Sequence, residues 1–173
     1  MRKLIFLCVL VLAAAAYSGD ALASATQPRL LSKHHDWGVY VYEERGHKVC
    51  FMASAPSRSE GNYTRRGDVF AFITHWTEDG SKNVFNIMTG YPYRTGSTVN
   101  VDIDGKKFTL PITKGEMAWA ADKETDDGLA DAIQRGNRMV VRGTSQRGTL
   151  TTDTFSLRGS TAAYRASLQA CNM

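Results

Sequence analysis

The stretch Ser97–Ile112, STVNVDIDGKKFTLPI, decides the fold class of this chain. Val99, Val101 and Ile103 alternate with polar residues, which is the period-two pattern of a half-buried strand. Asp104-Gly105 follows directly and supplies the two positive φ angles that a type I′ turn requires. The stretch therefore predicts a β-hairpin, formed by two antiparallel strands.

Strand patterns of the same kind recur on both sides of this hairpin. They cover residues 37–42, 48–53, 68–76, 83–91, 137–143 and 149–159, with a further short strand in 116–120. Two stretches have the helical period instead, Asp126–Gly136 and Ser160–Cys171, the second with Ser160 as its N-cap. Residues 55–67 have the composition of a loop. The pattern predicts a mainly β protein, an antiparallel β-sandwich or flattened barrel with two short α-helices, the second at the C-terminus.

The N-terminus has the three parts of a signal peptide. Met1-Arg2-Lys3 is positively charged, Leu4–Tyr17 is apolar, and Ala21-Leu22-Ala23 carries small residues at the positions that a signal peptidase recognises. We predict a cleaved signal peptide over residues 1–23, with cleavage after Ala25 as the alternative. Residues 24–35 then form a polar N-terminal tail, and residues 36–173 form a single domain.

The charge of the chain is modest and evenly spread. The full chain has a formal net charge of +4, and removal of residues 1–23 takes away two bases and one acid, which leaves +3. No block of five or six like charges occurs, so we do not expect a nucleic-acid-binding protein. The two remaining interpretations are a solvated basic surface and attraction to an anionic lipid, glycan or host surface. No segment after the signal is apolar for the roughly 20 residues that a transmembrane helix needs.

Two cysteines, Cys50 and Cys171, remain after the signal peptide. In an oxidising compartment two cysteines usually form one disulfide. The helical period places Cys171 on one face with Tyr164 and Leu168, so a helix docked on a sheet brings Cys171 to the strand that carries Cys50. The alternative is two unrelated buried thiols.

No constellation of catalytic or metal-binding residues emerges from the sequence. Arg142–Gly159 is rich in hydroxyl side chains and glycine, but it matches neither the nucleophile elbow nor the phosphate loop, and we predict a hairpin there. The acidic stretch Asp122–Gly128 departs from the calcium-loop spacing. We therefore expect no enzyme, no cofactor and no metal; a hydrolase built on Ser145 and His75 is the weakest of the alternatives.

The tripeptide Arg66-Gly67-Asp68 is the one that integrins recognise on adhesion proteins. Together with Arg65 it is a candidate partner-binding site, provided that it lies at an exposed loop tip. The alternative is that Gly67 turns the chain into the strand that begins near Asp68.

Several segments resemble the invasion-associated locus B family of exported alphaproteobacterial proteins. They are HDWGVYVY, VCFMASAPSRSEGNYTRRGDVFAFITH, GEMAWA and DGLADAIQRGNRMVVRGTSQRGTLTTDTFSLRGSTAAYRASLQAC, and together they span about residues 35–171. Residues 143–159 are the most specific part. The family has no established catalytic residues, so none carry over.

The resemblance implies a β-rich protein that supports envelope integrity or host-cell invasion. It implies a periplasmic location, with outer-membrane association or secretion as variants. The expected partner is an envelope component or a host surface protein, and a surface-exposed or secreted adhesion factor is the alternative function.

Overall fold

The computed structural model describes residues 26–173, and the predicted signal peptide lies outside them. The strands follow one another along the chain as β1 (Arg29–His34), β2 (Trp37–Glu44), β3 (His47–Ser54), β4 (Arg58–Gly61), β5 (Phe70–Trp76), β6 (Val84–Met88), β7 (Val99–Ile103), β8 (Lys106–Leu110), β9 (Ile112–Lys114), β10 (Met117–Trp119), β11 (Arg138–Thr144) and β12 (Leu150–Ser156). Helix α1 (Lys123–Arg135) precedes β11, and helix α2 (Ser160–Ala170) follows β12.

The strands form two separate antiparallel sheets. The large sheet has the order β1-β2-β3-β5-β6-β10-β9, and the small sheet has the order β4-β12-β11-β7-β8. Because the sheets do not close on each other, the sandwich is confirmed as the architecture and the barrel is not. The second helix lies at the C-terminus, as predicted. No helix in residues 26–173 is long and apolar enough to cross a membrane.

The core lies between the two sheets. It is filled by every second side chain along the strands, the ones that point inward. The large sheet contributes Met52, Ile73 and Phe85, which are fully buried. The small sheet contributes Val141 and Phe155, also fully buried. Burial of each large apolar side chain stabilises the fold by roughly 1.5–3 kcal/mol, so this layer is the main source of stability.

The hairpin predicted from Ser97–Ile112 is confirmed. Strands β7 and β8 pair with Ile103 opposite Lys106, and Asp104 and Gly105 between them have φ angles of 49° and 93°. The Asp102 carboxylate accepts a hydrogen bond from the Gly105 N–H at 2.8 Å, which holds the turn.

Two edge strands lie where the sequence predicts irregular chain. Strand β1 falls within the predicted polar tail of residues 24–35 and pairs with β2. Strand β4 falls within the predicted loop of residues 55–67 and pairs with β12. Both strands are held by backbone hydrogen bonds and keep most of their side chains in solvent. Strand β4 is polar throughout, and β1 carries its two leucines, Leu30 and Leu31, at successive positions, so neither strand has the alternation that identifies inner strands.

Helix α2 begins differently from the prediction. Its N-cap is Gly159 rather than Ser160, with a φ of 91° that favours glycine. A Cβ atom at Gly159 would lie 2.0 Å from the His34 carbonyl oxygen. Ser160 is instead buried in the first turn, where its hydroxyl donates to the Ile133 carbonyl at 2.8 Å. The serine therefore joins α2 to α1.

The disulfide between Cys50 and Cys171 is present. It links β3 to the residue that follows α2. The buried stripe of the helix consists of small residues, Ala163 and Ser167, in line with Cys171. Tyr164 and Leu168, predicted on the packed face, are half-buried beside it. Small residues let α2 approach the sheet closely enough for the two sulfur atoms to bond.

We expect replacement of both cysteines by alanine to lower the free energy of unfolding by roughly 4 kcal/mol. The disulfide closes a loop of 121 residues, and loop-closure entropy of this size contributes about 4–5 kcal/mol at most. Urea unfolding followed by tryptophan fluorescence measures the change. A reductant should destabilise the wild type by a similar amount and leave the double variant unchanged; equal stability of both proteins would contradict the prediction.

Candidate functional site

A buried ion pair joins the segment after β4 to the inner face of the small sheet. The Arg66 side chain is 5% exposed and the Asp153 side chain 1%. The guanidinium donates from Nη1 to Oδ1 at 2.7 Å and from Nη2 to Oδ2 at 2.6 Å. Its Nε donates to the Thr89 carbonyl at 2.7 Å. The pair is bidentate, which is the strongest geometry that arginine and a carboxylate form.

Asp153 needs this partner because of its position on β12. It alternates with Thr152 and Thr154 and therefore points inward with Phe155, between the sheets. An unpaired carboxylate there would lose its hydration without compensation. Burial alone lowers the pKa of Arg66, but the hydrogen bonds and charge of Asp153 outweigh burial, and the pKa of Arg66 is raised. Arg66 therefore remains charged beside Asp153.

Two tyrosines enclose the guanidinium. The centres of the Tyr63 and Tyr91 rings lie 5.5 Å and 5.0 Å from its central carbon, within the range of cation–π attraction. The Tyr91 hydroxyl is hydrogen-bonded to that of Thr151 at 2.6 Å. Burial is the main reason that the pKa of Tyr91 is raised. Tyr91 therefore stays neutral, and the guanidinium is held by directional contacts on several sides.

The backbone next to Arg66 is fixed by two glycines. The Gly67 N–H donates to the Gly90 carbonyl at 2.9 Å. Gly90 has a φ of +66°, and a Cβ atom there would lie 2.3 Å from the Gly67 carbonyl oxygen. The approach is possible only without a side chain at Gly90, and it sets the position from which Arg66 reaches inward.

Of the four residues predicted as a partner-binding site, three are exposed and one has a buried side chain. Arg65, Gly67 and Asp68 are exposed, whereas the guanidinium of Arg66 is inside the protein. An integrin-type loop must present its arginine to the partner, and here that arginine holds Asp153. The sequence missed Asp153, although its inward position on β12 was a signal that a buried counter-charge was needed.

A groove lies over this cluster. Its volume is about 590 Å³, and its walls come from residues 62–66, 90–92 and 145–151. Arg65 and Arg147 are exposed and form no ion pair with any residue in 26–173. No acidic side chain lines the groove. Because Asp153 neutralises Arg66, the net charge of the groove comes from the two free arginines.

The wall around Arg147 is the turn of the hairpin predicted in Arg142–Gly159, and that hairpin is confirmed. The Ser145 N–H donates to the Thr149 carbonyl at 2.9 Å, and the Ser145 hydroxyl accepts from the Thr149 N–H at 3.1 Å. The Gln146 N–H donates to the Pro92 carbonyl at 2.8 Å, which ties the turn to the opposite wall. The hydroxyl of Ser145 thus closes a turn.

His75 lies in the core between β5 and α2. Its Nε2 is 3.1 Å from the Ser167 hydroxyl, and its Nδ1 accepts from the Asn83 N–H at 3.2 Å. Because Ser167 donates to the Tyr164 carbonyl, its oxygen accepts the Nε2 proton. Burial, with a smaller effect from Lys82, lowers the pKa of His75 to about 4. His75 forms no hydrogen bond with Ser145. The structure therefore does not bring together the serine and the histidine on which the hydrolase alternative was based.

The acidic stretch Asp122–Gly128 stabilises helix α1. The Asp122 carboxylate accepts from the Thr125 N–H at 2.7 Å and caps the helix. Asp126 accepts from the Phe85 N–H at 3.0 Å and ties the helix to β6. In the described part of the chain, no three histidine, cysteine or acidic side chains are grouped so that they would hold a metal ion.

Comparison with known proteins gives one match. A family model described as Invasion associated locus B (IalB) protein matches residues 37–168. That range contains both members of the ion pair and all three walls of the groove. No curated protein and no solved structure matches the chain.

We expect Asp153→Leu to destabilise the protein by about 3–5 kcal/mol, because it leaves the Arg66 charge buried without a partner. The double variant Arg66→Met/Asp153→Leu should be more stable than Asp153→Leu alone, since no isolated charge remains. Urea unfolding of the wild type, both single variants and the double variant measures the coupling. Additive effects of the two substitutions would show that the pair does not act as a unit.

We expect His75 to make stability depend on pH between about 7 and 4. Its pKa is about 4 in the folded state and near 6.5 in the unfolded state. The unfolded chain therefore binds a proton first, so stability falls as the pH drops through 6.5 and levels off below 4. The loss approaches about 3 kcal/mol. Unfolding measured against pH should show a smaller decline for His75→Gln, and equal declines would refute the assignment.

Proposed function

The chain belongs to the invasion associated locus B family, and from that membership we propose that it is an exported, non-enzymatic protein of the cell envelope that acts by binding a partner. The signal-peptide pattern of residues 1–23 supports export. The disulfide between Cys50 and Cys171 is in keeping with an oxidising compartment.

The observation that carries the binding role is the groove with its two free arginines. Arg65 and Arg147 stand on separate walls, and the groove between them has no acidic side chain. Tyr63, 37% exposed, adds an aromatic surface at the rim. Arginine binds carboxylate and phosphate groups in a forked geometry, so the groove suits an anionic group on an envelope component or a host surface protein.

The rigid floor of the groove favours binding over catalysis. The Arg66 guanidinium and the Ser145 hydroxyl are already engaged in internal hydrogen bonds. A nucleophile would need a base within about 3 Å, and the buried His75 is paired with Ser167 instead. The side chains left free at the groove are suited to recognition.

Support of envelope integrity and host-cell invasion both begin with this binding step. The two roles differ in the location of the protein, because a surface-exposed or secreted adhesion factor has to be outside the cell. Fractionation of intact cells with protease protection separates the two. Complete protection inside the envelope would leave the periplasmic role and exclude the adhesion factor.

We expect Arg65→Ala/Arg147→Ala to reduce binding to envelope material by at least about tenfold, which corresponds to 1.4 kcal/mol. Immobilised wild type and variant are exposed to the same envelope extract, and the bound material is quantified at rising salt. The matched control is Arg142→Ala/Arg158→Ala, which removes the same charge from exposed arginines elsewhere. Equal binding by all three proteins would exclude the groove, and absence of binding by the wild type would exclude the proposed function.

A further inference from the structure

The outer face of the large sheet carries a continuous layer of aromatic side chains. They alternate with the core residues along β2, β3, β5 and β10, so they point away from the small sheet. We call this layer the aromatic face and define it by Tyr40, Phe51, Phe70, Phe72, Trp76 and Trp119. All six are only partly buried, and no other described part of the chain forms a layer over them.

Four of the rings contact one another, both across neighbouring strands and along β5. Tyr40 stacks on Phe51 with ring centres 5.0 Å apart. Phe51 contacts Phe72 at 5.9 Å, and Phe72 contacts Phe70 at the same distance. These four rings therefore form one packed cluster on the sheet instead of projecting singly from it.

The fold itself does not require an apolar outer face. On the outer face of the small sheet, the equivalent alternating positions carry Asn100, Arg142 and Thr152, which pair across β7, β11 and β12. That sheet faces solvent with polar side chains, as an outer face normally does. The composition of the aromatic face is therefore specific to the large sheet.

The aromatic face has the composition of an interface core. Methionines Met88 and Met117 extend the aromatic layer across β6 and β10. Protein interfaces are enriched in aromatic residues and methionine at their centre and depleted in charged residues. A contiguous apolar layer that the fold leaves only partly buried is a candidate interaction site.

A polar side chain near the middle of the layer has no partner within the chain. Asn86 lies between Phe72 and Trp119 in the register and is 9% exposed. Its Oδ1 accepts no hydrogen bond from residues 26–173. A buried acceptor without a donor costs about 1–3 kcal/mol. A side-chain amide contains both a donor and an acceptor. Because the Oδ1 is enclosed in the single chain, two copies of this amide satisfy each other across a two-fold axis only when the neighbouring rings shift on association.

We propose that the aromatic face binds a second copy of this chain, sheet against sheet, in a two-fold symmetric dimer. The five strands that carry the layer lie about 4.8 Å apart and average about six residues, so their flat area is on the order of 500 Å². Stable interfaces bury roughly 600–1,000 Å² of accessible surface on each partner, and the side chains that project from the sheet bring its accessible area to the lower end of that range. Level sheet faces pack at about 10 Å, and two-fold dimers are the commonest assembly.

Sedimentation of the purified exported protein at rising concentration tests this proposal. The wild type should change from monomer to dimer, and Phe72→Lys should shift the dissociation constant upward by at least about 100-fold because it buries an unpaired charge. Val140→Lys, on the outer face of the small sheet, is the matched control and should dimerise like the wild type. Met117→Lys, on a different strand, gives a second test if Phe72→Lys fails to fold.

Tryptophan fluorescence identifies the face involved. Trp76 and Trp119 lie on the aromatic face, whereas Trp37 is fully buried in the core. Dilution should shift the emission to longer wavelength as the two outer indoles become solvated, and Phe72→Lys should show the shifted spectrum at every concentration.

Three results would overturn the dimer. The first is a monomeric wild type at all concentrations. The second is a dimer that survives both lysine substitutions on the aromatic face. The third is a wild type that stays monomeric and floats with vesicles of anionic phospholipid, which would assign the face to a lipid surface. Since this surface is separate from the groove, loss of the dimer would leave binding at Arg65 and Arg147 intact.

Discussion

A carboxylate between two apolar sheets has to be neutralised, and the structure near the groove follows from that requirement. Asp153 points inward from β12, and Arg66 reaches it from a segment that belongs to neither sheet. The close contact of Gly67 with Gly90 and the rings of Tyr63 and Tyr91 set the direction of Arg66. The ion pair thereby anchors the segment that supplies one wall of the groove.

The inner strands and the two helices follow from local patterns in the sequence, because burial of one face imposes a period that a single segment reveals. The hairpin at Asp104-Gly105 and the helix capped near Asp122 are of this kind. Strands β1 and β4 do not follow from such patterns. Backbone pairing holds them, β1 to the neighbouring β2 and β4 to the distant β12, and their side chains do not alternate.

The groove depends on tertiary structure in the same way. Arg65 and Arg147 are far apart in the sequence, and the pairing of β4 with β12 and the Arg66–Asp153 ion pair bring their segments to one place. The family resemblance pointed to residues 143–159 as the most specific part of the chain, and these residues supply both Asp153 and the turn that carries Arg147. The tripeptide Arg66-Gly67-Asp68 suggested recognition of a partner. In the structure, the arginine instead pairs with the buried carboxylate of Asp153.

The position of the disulfide also bears on how the protein matures. Cys50 precedes its partner Cys171 by 121 residues, and nearly the whole sandwich lies between them. When a chain crosses a membrane from its N-terminus, the first thiol reaches the oxidising side long before the second. The bond can therefore close only after the residues between the two cysteines have reached that side, so formation of the bond reports that the whole segment from β3 to the end of α2 is present.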